Sequence, residues 1–259
     1  MRVDEILKRM RRFLIIITSA LILSSCSHAD ISAWKYQKEG LDIDVVKVNN
    51  PQKLKLFLND QKNNFPYKEF KNLDKDLKQC EKMLFAMNAG MFHADYTPVG
   101  LYIENNEQLK SLNTKKKGFG NFLIQPNGVF LWDRLNAQIL ITDEYNKRKF
   151  DPTYATQSGP MLVINSEINK NFTQESDSLK IRNAVAMKGQ SIYFVITNKP
   201  INFYNFANFL KKDLKVENAL YLDGSISNAY IPSLNRYKQT RYVGPILAYI
   251  DDGACGTSD

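Results

Sequence analysis

From Met83 onward the chain consists of short apolar runs that keep being broken by glycine, asparagine or proline, and this pattern constrains the fold more than any other feature. Examples are Leu84–Met87, Val129–Trp132, Met161–Ile164, Ala184–Met187, Ser191–Thr197, Ala219–Leu222 and Ile246–Tyr249. Runs of this length are too brief for helices and suit buried strands. Pro126-Asn127-Gly128 and Lys188-Gly189-Gln190 read as hairpin turns, because Asn-Gly and Gly supply the positive φ that tight turns need. Phe122–Ile124 and Gly100–Ile103 read as further strands. Upstream, Leu41–Val45 alternates with period two, as a half-buried strand does. Pro51–Asp60 is expected to be a helix opened by Asn50 and Pro51, and 64–78 irregular or helical.

One helix interrupts the strands. Residues 202–212 place Phe203, Phe206, Phe209 and Leu210 at helical spacing behind Asn202, a suitable N-cap, and the strand leading to Asp223 follows. With no repeats and no internal linker, the expectation is one α+β domain, with a mixed, mostly antiparallel sheet and a few packed helices. A hydrophobic share of 44% and an aromatic share of 12% fit such a core and oppose extended disorder.

The N-terminus is of another kind. Arg2, Lys8, Arg9, Arg11 and Arg12 precede an apolar run, Phe13–Leu23, that is short for a membrane span and reads as an export signal. It ends in Leu23-Ser24-Ser25-Cys26, which resembles the bacterial lipobox. That resemblance implies cleavage and a lipid on Cys26, with Ser27 favouring the outer membrane. The expected organisation is a signal peptide over 1–25, a lipidated tether over 26–40, a domain over 41–250 and a tail over 251–259. Exported chains meet oxidants, so Cys80 and Cys255 are candidates for one disulfide. The formal charge of +8 falls to +5 once the leader is removed, because residues 1–25 carry those five basic residues against Asp4 and Glu5. This mild basic balance fits anionic partners or plain solvation, and Lys115-Lys116-Lys117 reads as an exposed loop; no nucleic-acid module is present.

Asp223-Gly224-Ser225 ends the run Ala219–Leu222, and three other polar breaks follow or open apolar runs: Asn88-Ala89-Gly90, Gln157-Ser158-Gly159 and Arg182-Asn183. Asp223 suits an acid, a ligand or a turn that caps its own backbone. The Arg182 fork suits a phosphate or a structural carboxylate such as Asp223. Asn88 and Gln157 suit a ligand frame or satisfied loop amides, and the neighbouring glycines, Gly90 and Gly159, allow close backbone approach. His93 suits a proton carrier or a loop brace. With His28 in the tether and no Cys-x-x-Cys spacing, no metal site is expected from the motifs. A divalent cation near Asp223 is allowed but not required, and the cofactor is left unknown.

Taken in order, Asn88-Ala89-Gly90-Met91-Phe92, Gln157-Ser158-Gly159-Pro160-Met161-Leu162, Arg182-Asn183-Ala184-Val185 and Ala219–Gly224 resemble the phosphodiester glycosidase domain over roughly 80–250. That family includes the lysosomal enzyme that uncovers mannose 6-phosphate by removing N-acetylglucosamine. Residues 93–102 are similar to a bacterial exported branch. The resemblance implies a hydrolase that cleaves a sugar-1-phosphodiester in envelope glycans. It assigns catalytic roles to Asp223, Arg182 and His93, and substrate-binding roles to Asn88, Gly90, Gln157, Ser158, Gly159 and Gly224. Asp95 and Glu217 are candidates for a second carboxylate. Ser225 and Ile226 stand where lysosomal-type members carry glycines, and Ala89 replaces another glycine; such bulk is expected to narrow the cleft. A non-catalytic lipoprotein binding a glycan or a protein partner is the alternative.

Overall fold

The structure is a computed structural model that describes residues 30–253 and residue 255. The apolar leader, Cys26 and His28 lie outside the described residues. Within them, strands gather into three sheets in which every pairing is antiparallel. The largest runs from β1 (Ile31–Lys38) through β2 (Leu41–Val48), β13 (Ser191–Thr197), β12 (Asn183–Lys188), β14 (Asn218–Tyr221) and β10 (Met161–Ile164) to β11 (Glu167–Ile168). A second holds β15 (Ala229–Tyr230), β4 (Lys82–Asn88), β16 (Ile246–Asp251) and β3 (Leu54–Phe57). The third holds β6 (Glu107–Lys110), β5 (Tyr102–Glu104), β9 (Tyr154–Ser158), β7 (Gly128–Trp132) and β8 (Ala137–Ile141).

One aromatic knot joins the three sheets. Phe194 of β13 meets Phe85 of β4 at 5.0 Å between ring centroids and Phe130 of β7 at 6.2 Å. All three are fully buried, and each contributes about 1.5–3 kcal/mol of apolar burial. Of the helices, α1 (Phe70–Asp76) buries Phe70 and Leu73 against the second sheet, and α2 (Thr142–Asn146) follows β8. The third, α3 (Phe203–Lys212), covers the large sheet with Phe206, Phe209 and Leu210. Asn202 caps it by accepting from the Asn205 N–H at 2.8 Å, as the sequence predicts.

Several elements differ from expectation. Residues 31–38, placed in the tether by sequence, form a strand paired with β2 over its whole length through a turn with positive φ at Glu39 and Gly40. Ordered structure therefore begins upstream of residue 41. In place of a helix over 51–60 there is a single tight turn, Pro51–Lys53, followed by β3. Leu54 and Leu56 are buried while Lys55 and Phe57 are half-buried, a period-two pattern completed by the edge of β16. Lys188-Gly189-Gln190 is a hairpin turn with φ +54 at Gly189. Asn127-Gly128 is not: Gly128 starts β7, and a Cβ there would press 2.5 Å from the Met161 sulfur and 2.8 Å from the Leu140 carbonyl. Phe122–Ile124 is accordingly no strand but part of a tight turn, Asn121–Leu123. The Cys80–Cys255 disulfide is present and ties the tail to the segment before β4.

Candidate functional site

The end of β4, the start of β12 and the segment after β14 converge on one buried amide. Asn88 Nδ2 donates to the Asp223 carbonyl at 3.0 Å, and Asn88 Oδ1 accepts from Asn183 Nδ2 and from the Asn228 N–H, each at 2.9 Å. Ser227 Oγ adds a bond of 3.3 Å to Asn183 Oδ1. Asn88 is 1% exposed and Asn183 fully buried. Their amides are spent on holding the 223–228 turn to the sheet ends, because buried polar groups must find partners. Asn88 thus frames the site from behind.

Arg182 opens β12 from a buried position, 1% exposed. Its guanidinium carbon lies 3.7 Å from the Phe203 ring centroid, Nε donates to the Ile201 carbonyl at 2.7 Å, and one terminal nitrogen donates to the Ser178 carbonyl at 2.7 Å. The other reaches the Tyr221 hydroxyl at 3.4 Å. Desolvation lowers the pKa of this guanidinium from its ordinary value. Burial pushes the Tyr221 hydroxyl up to about 12; Arg182 and the Gly224 N–H favour its ionised form, while the Asp223 charge opposes it. Arg182 therefore reaches Asp223 and Gly224 through Tyr221, and is turned inward rather than toward an incoming phosphate.

The second motif lies elsewhere. Gln157 Oε1 accepts from the Leu101 and Asn113 N–H groups, both at 2.9 Å, and Nε2 donates to the Asn113 carbonyl at 2.8 Å and Thr142 Oγ1 at 3.1 Å. With its hydrogen-bonding groups engaged inside the protein, Gln157 staples two loops to the third sheet. Ser158 is fully buried, and its Oγ has no partner among the described residues. Gly90 and Gly159 serve close packing: a Cβ at 90 would lie 2.5 Å from the Gln157 carbonyl, and one at 159 would lie 2.7 Å from Asn127 Cβ. His93 is exposed in a surface turn, where its N–H donates to the Thr97 carbonyl at 2.8 Å. Asp95 in the same turn accepts from Thr97, which lowers its pKa from the ordinary value. Glu217 precedes β14, whereas Asp223 follows it, so the two belong to opposite ends of that strand.

A cleft of about 420 Å³ opens beside the 224–228 turn. Gly224, Ile226, Ser227 and Asn228 form one wall, Lys180, Ile181, Thr197 and Asn198 another, and Arg236, Lys238, Thr240 and Arg241 the third. A neighbouring compartment of about 510 Å³ shares Ile226, Thr240 and Arg241, and adds Glu69, Gln239 and Tyr242. Arg236 is held in place by Asp44 at 2.9 Å and by Asn198 Oδ1 at 2.5 Å. Among the described residues the first compartment is lined by no carboxylate, so the charges of Lys180, Lys238 and Arg241 give it a positive field. Of the expected site residues, Gly224 lines it, with half-buried Asp223 adjacent, whereas Asn88 and Arg182 stand behind the wall. No group of three or more His, Cys, Asp or Glu gathers to form a metal site among the described residues.

The lining residues missed from sequence are chiefly those of the 236–241 segment. Their signal was a dense basic stretch, Arg236-Tyr237-Lys238-Gln239-Thr240-Arg241, with no motif attached. Ala89 does not narrow the cleft, since its methyl is fully buried in the main core; Ile226 does line it.

Together these features define an α+β domain whose sheet ends carry a polar, cation-rich cleft. The chain belongs to the phosphodiester glycosidase family, a family of hydrolases, whose model matches residues 81–249. It is 40% identical over 157 residues to the uncharacterized Escherichia coli K12 protein YigE, a match that spans 60% of this chain and 61% of that protein. The fold is similar to the catalytic domain of zebrafish N-acetylglucosamine-1-phosphodiester alpha-N-acetylglucosaminidase auto-inhibited by its pro-peptide. That likeness has a TM-score of 0.58 at 16% identity, over 85% of this chain and 81% of the other. A hypothetical protein from Synechocystis is similar with a TM-score of 0.52 at 13% identity, over 85% of this chain and 62% of its own.

Proposed function

We propose that this protein hydrolyses the bond between a sugar's anomeric carbon and a phosphodiester oxygen, in envelope glycans or their fragments. The observation that carries the reading is the cation-rich compartment beside Asp223-Gly224, lined by no carboxylate. Lys180, Lys238 and Arg241 hold the phosphate, and their charge stabilises the oxygen that takes the electron pair as the C–O bond breaks. Water completes the sugar, and Asp223, next in sequence to the lining residue Gly224, is the carboxylate that receives its proton. Arg182 acts as a positioning residue through Tyr221. On the N-terminal pattern, the protein is exported and held by a lipid on Cys26, facing the periplasm, at the outer rather than the inner membrane.

The test is turnover of a panel of sugar-1-phosphodiesters by protein shown to be folded. Released sugar that disappears in Asp223→Ala supports the proposal, and no release across the panel overturns it. Saturable binding without release supports instead a non-catalytic glycan-binding lipoprotein, a reading favoured by Ile226 in the cleft wall. Incorporation of labelled fatty acid that is lost in Cys26→Ser tests the anchor.

A further inference from the structure

The 114–120 loop contributes nothing to the cleft and has an unusual surface. Its tip, Phe119, is 101% exposed between Gly118 and Gly120, both at positive φ, and Lys115, Lys116 and Lys117 precede it in solvent. A single exposed apolar side chain needs no explanation. A phenyl ring held out completely on a glycine-flanked tip, behind three lysines, does.

The roots of the loop are fixed. At one end the backbone of Asn113 is bonded in both directions to the buried amide of Gln157, which also holds Thr142 Oγ1 at the start of α2. At the other, Phe122 is buried. Leu112 packs with Tyr145 and Phe150 on one small core, and Lys116 Nζ reaches Asp143 at 2.6 Å. The loop therefore stands beside α2 and the exposed run Lys147-Arg148-Lys149 that follows it. The combined patch carries six basic residues against Asp143, Glu144 and Asp151.

We propose that this patch is a docking surface for an anionic lipid bilayer: Phe119 enters the boundary between headgroups and acyl chains, while the lysines and Arg148 meet headgroup phosphates. A polyanion in water would satisfy the cations alone. A bilayer also gives the ring an apolar place, and each nearby lysine adds on the order of fivefold in affinity for an anionic surface. The fixed roots keep the ordering cost of docking small. This surface is independent of the cleft and of its chemistry.

A tryptophan at the tip reports on that residue alone, whatever the N-terminus does. The full-length chain carrying Phe119→Trp is mixed with vesicles of phosphatidylglycerol and phosphatidylcholine, with the unsubstituted chain as the background for its native tryptophans. The expected result is a blue shift of emission and quenching by brominated acyl chains. Both are lost when Lys115→Glu and Lys117→Glu are added, substitutions that spare the Lys116–Asp143 pair. Unchanged emission with these vesicles overturns the proposal. So does equal quenching by phosphatidylcholine alone, or a response to single-stranded DNA or polyphosphate and not to vesicles.

Discussion

The Tyr221 hydroxyl occupies the space that a side chain at residue 224 would need: a Cβ built on Gly224 would overlap it. The strand residue and the cleft-wall residue are thus fitted to each other, and Arg182 holds the hydroxyl from its other side. Gly224→Ala is expected to push Tyr221 off Arg182 and displace the turn, costing about 1–3 kcal/mol of stability. Sugar release should fall with it. A urea midpoint equal to that of the parent would show that the turn yields without cost.

Arg182 is expected to matter first for folding. Removing its fork takes the donor from the Ser178 carbonyl, leaves the Ile201 carbonyl with the longer 3.2 Å bond from the Lys180 N–H, and opens a gap over Phe203. Arg182→Ala should cost about 3–5 kcal/mol, and Arg182→Lys less but still measurably, since an ammonium cannot reproduce the planar fork. Denaturant unfolding of both variants checks the order. A stable Arg182→Ala protein that merely lost turnover would restore the direct phosphate clamp expected from the sequence.

The cleft cations should behave in the opposite way. Lys180→Ala, Lys238→Ala and Arg241→Ala are each expected to leave stability within about 0.5 kcal/mol, because these are surface changes. Each should weaken binding of inorganic phosphate several-fold at low salt, with the loss shrinking as added salt screens the site. Calorimetric titration at two ionic strengths is the measurement. Parent-like binding in all three would remove the cleft from consideration.

Glu104 gives a pH dependence away from the cleft. Burial raises its pKa above the ordinary value, against the opposing hydrogen bonds from the Tyr102 hydroxyl at 2.6 Å and the Leu58 N–H. The folded state therefore holds this proton more tightly than the unfolded chain. Its contribution is fully present below the unfolded pKa and is lost as pH rises through the raised folded value. Glu104→Gln keeps an acceptor for Tyr102 and removes the titration. The variant's melting temperature should gain on the parent's as pH rises from about 4, the unperturbed range of a glutamate. A gap that does not change with pH would refute the assignment.

Much of the strand pattern was legible because burial and period two are written locally. The α3 stripe and its Asn202 cap, the Gly189 hairpin and the Cys80–Cys255 pair could all be anticipated from residues near one another or from simple counting. The misread segments were those whose conformation is set by a distant neighbour. Leu54–Phe57 became a strand because the edge of β16 was free to pair with it. Gly128 is small because Met161 and Leu140 press on it, with no turn involved. At the site, the sequence pointed to Asp223-Gly224 but could not tell a side chain facing solvent from one turned inward.

Residue type and spacing alone were enough for the family, the α+β character and the four ordered motifs, whereas the basic 236–241 stretch carried no motif and gained meaning only from its place in the cleft wall. Only the tertiary structure decided which polar groups remain available. Asn88 and Gln157 spend their amides largely on groups tens of residues away, and Arg182 spends its fork on the Ser178 and Ile201 carbonyls and the Tyr221 hydroxyl, because a buried donor or acceptor without a partner costs more than any local preference returns. That sorting leaves the cleft lined by Gly224 and by cations from two segments, Lys180 before β12 and Arg236, Lys238 and Arg241 after β15.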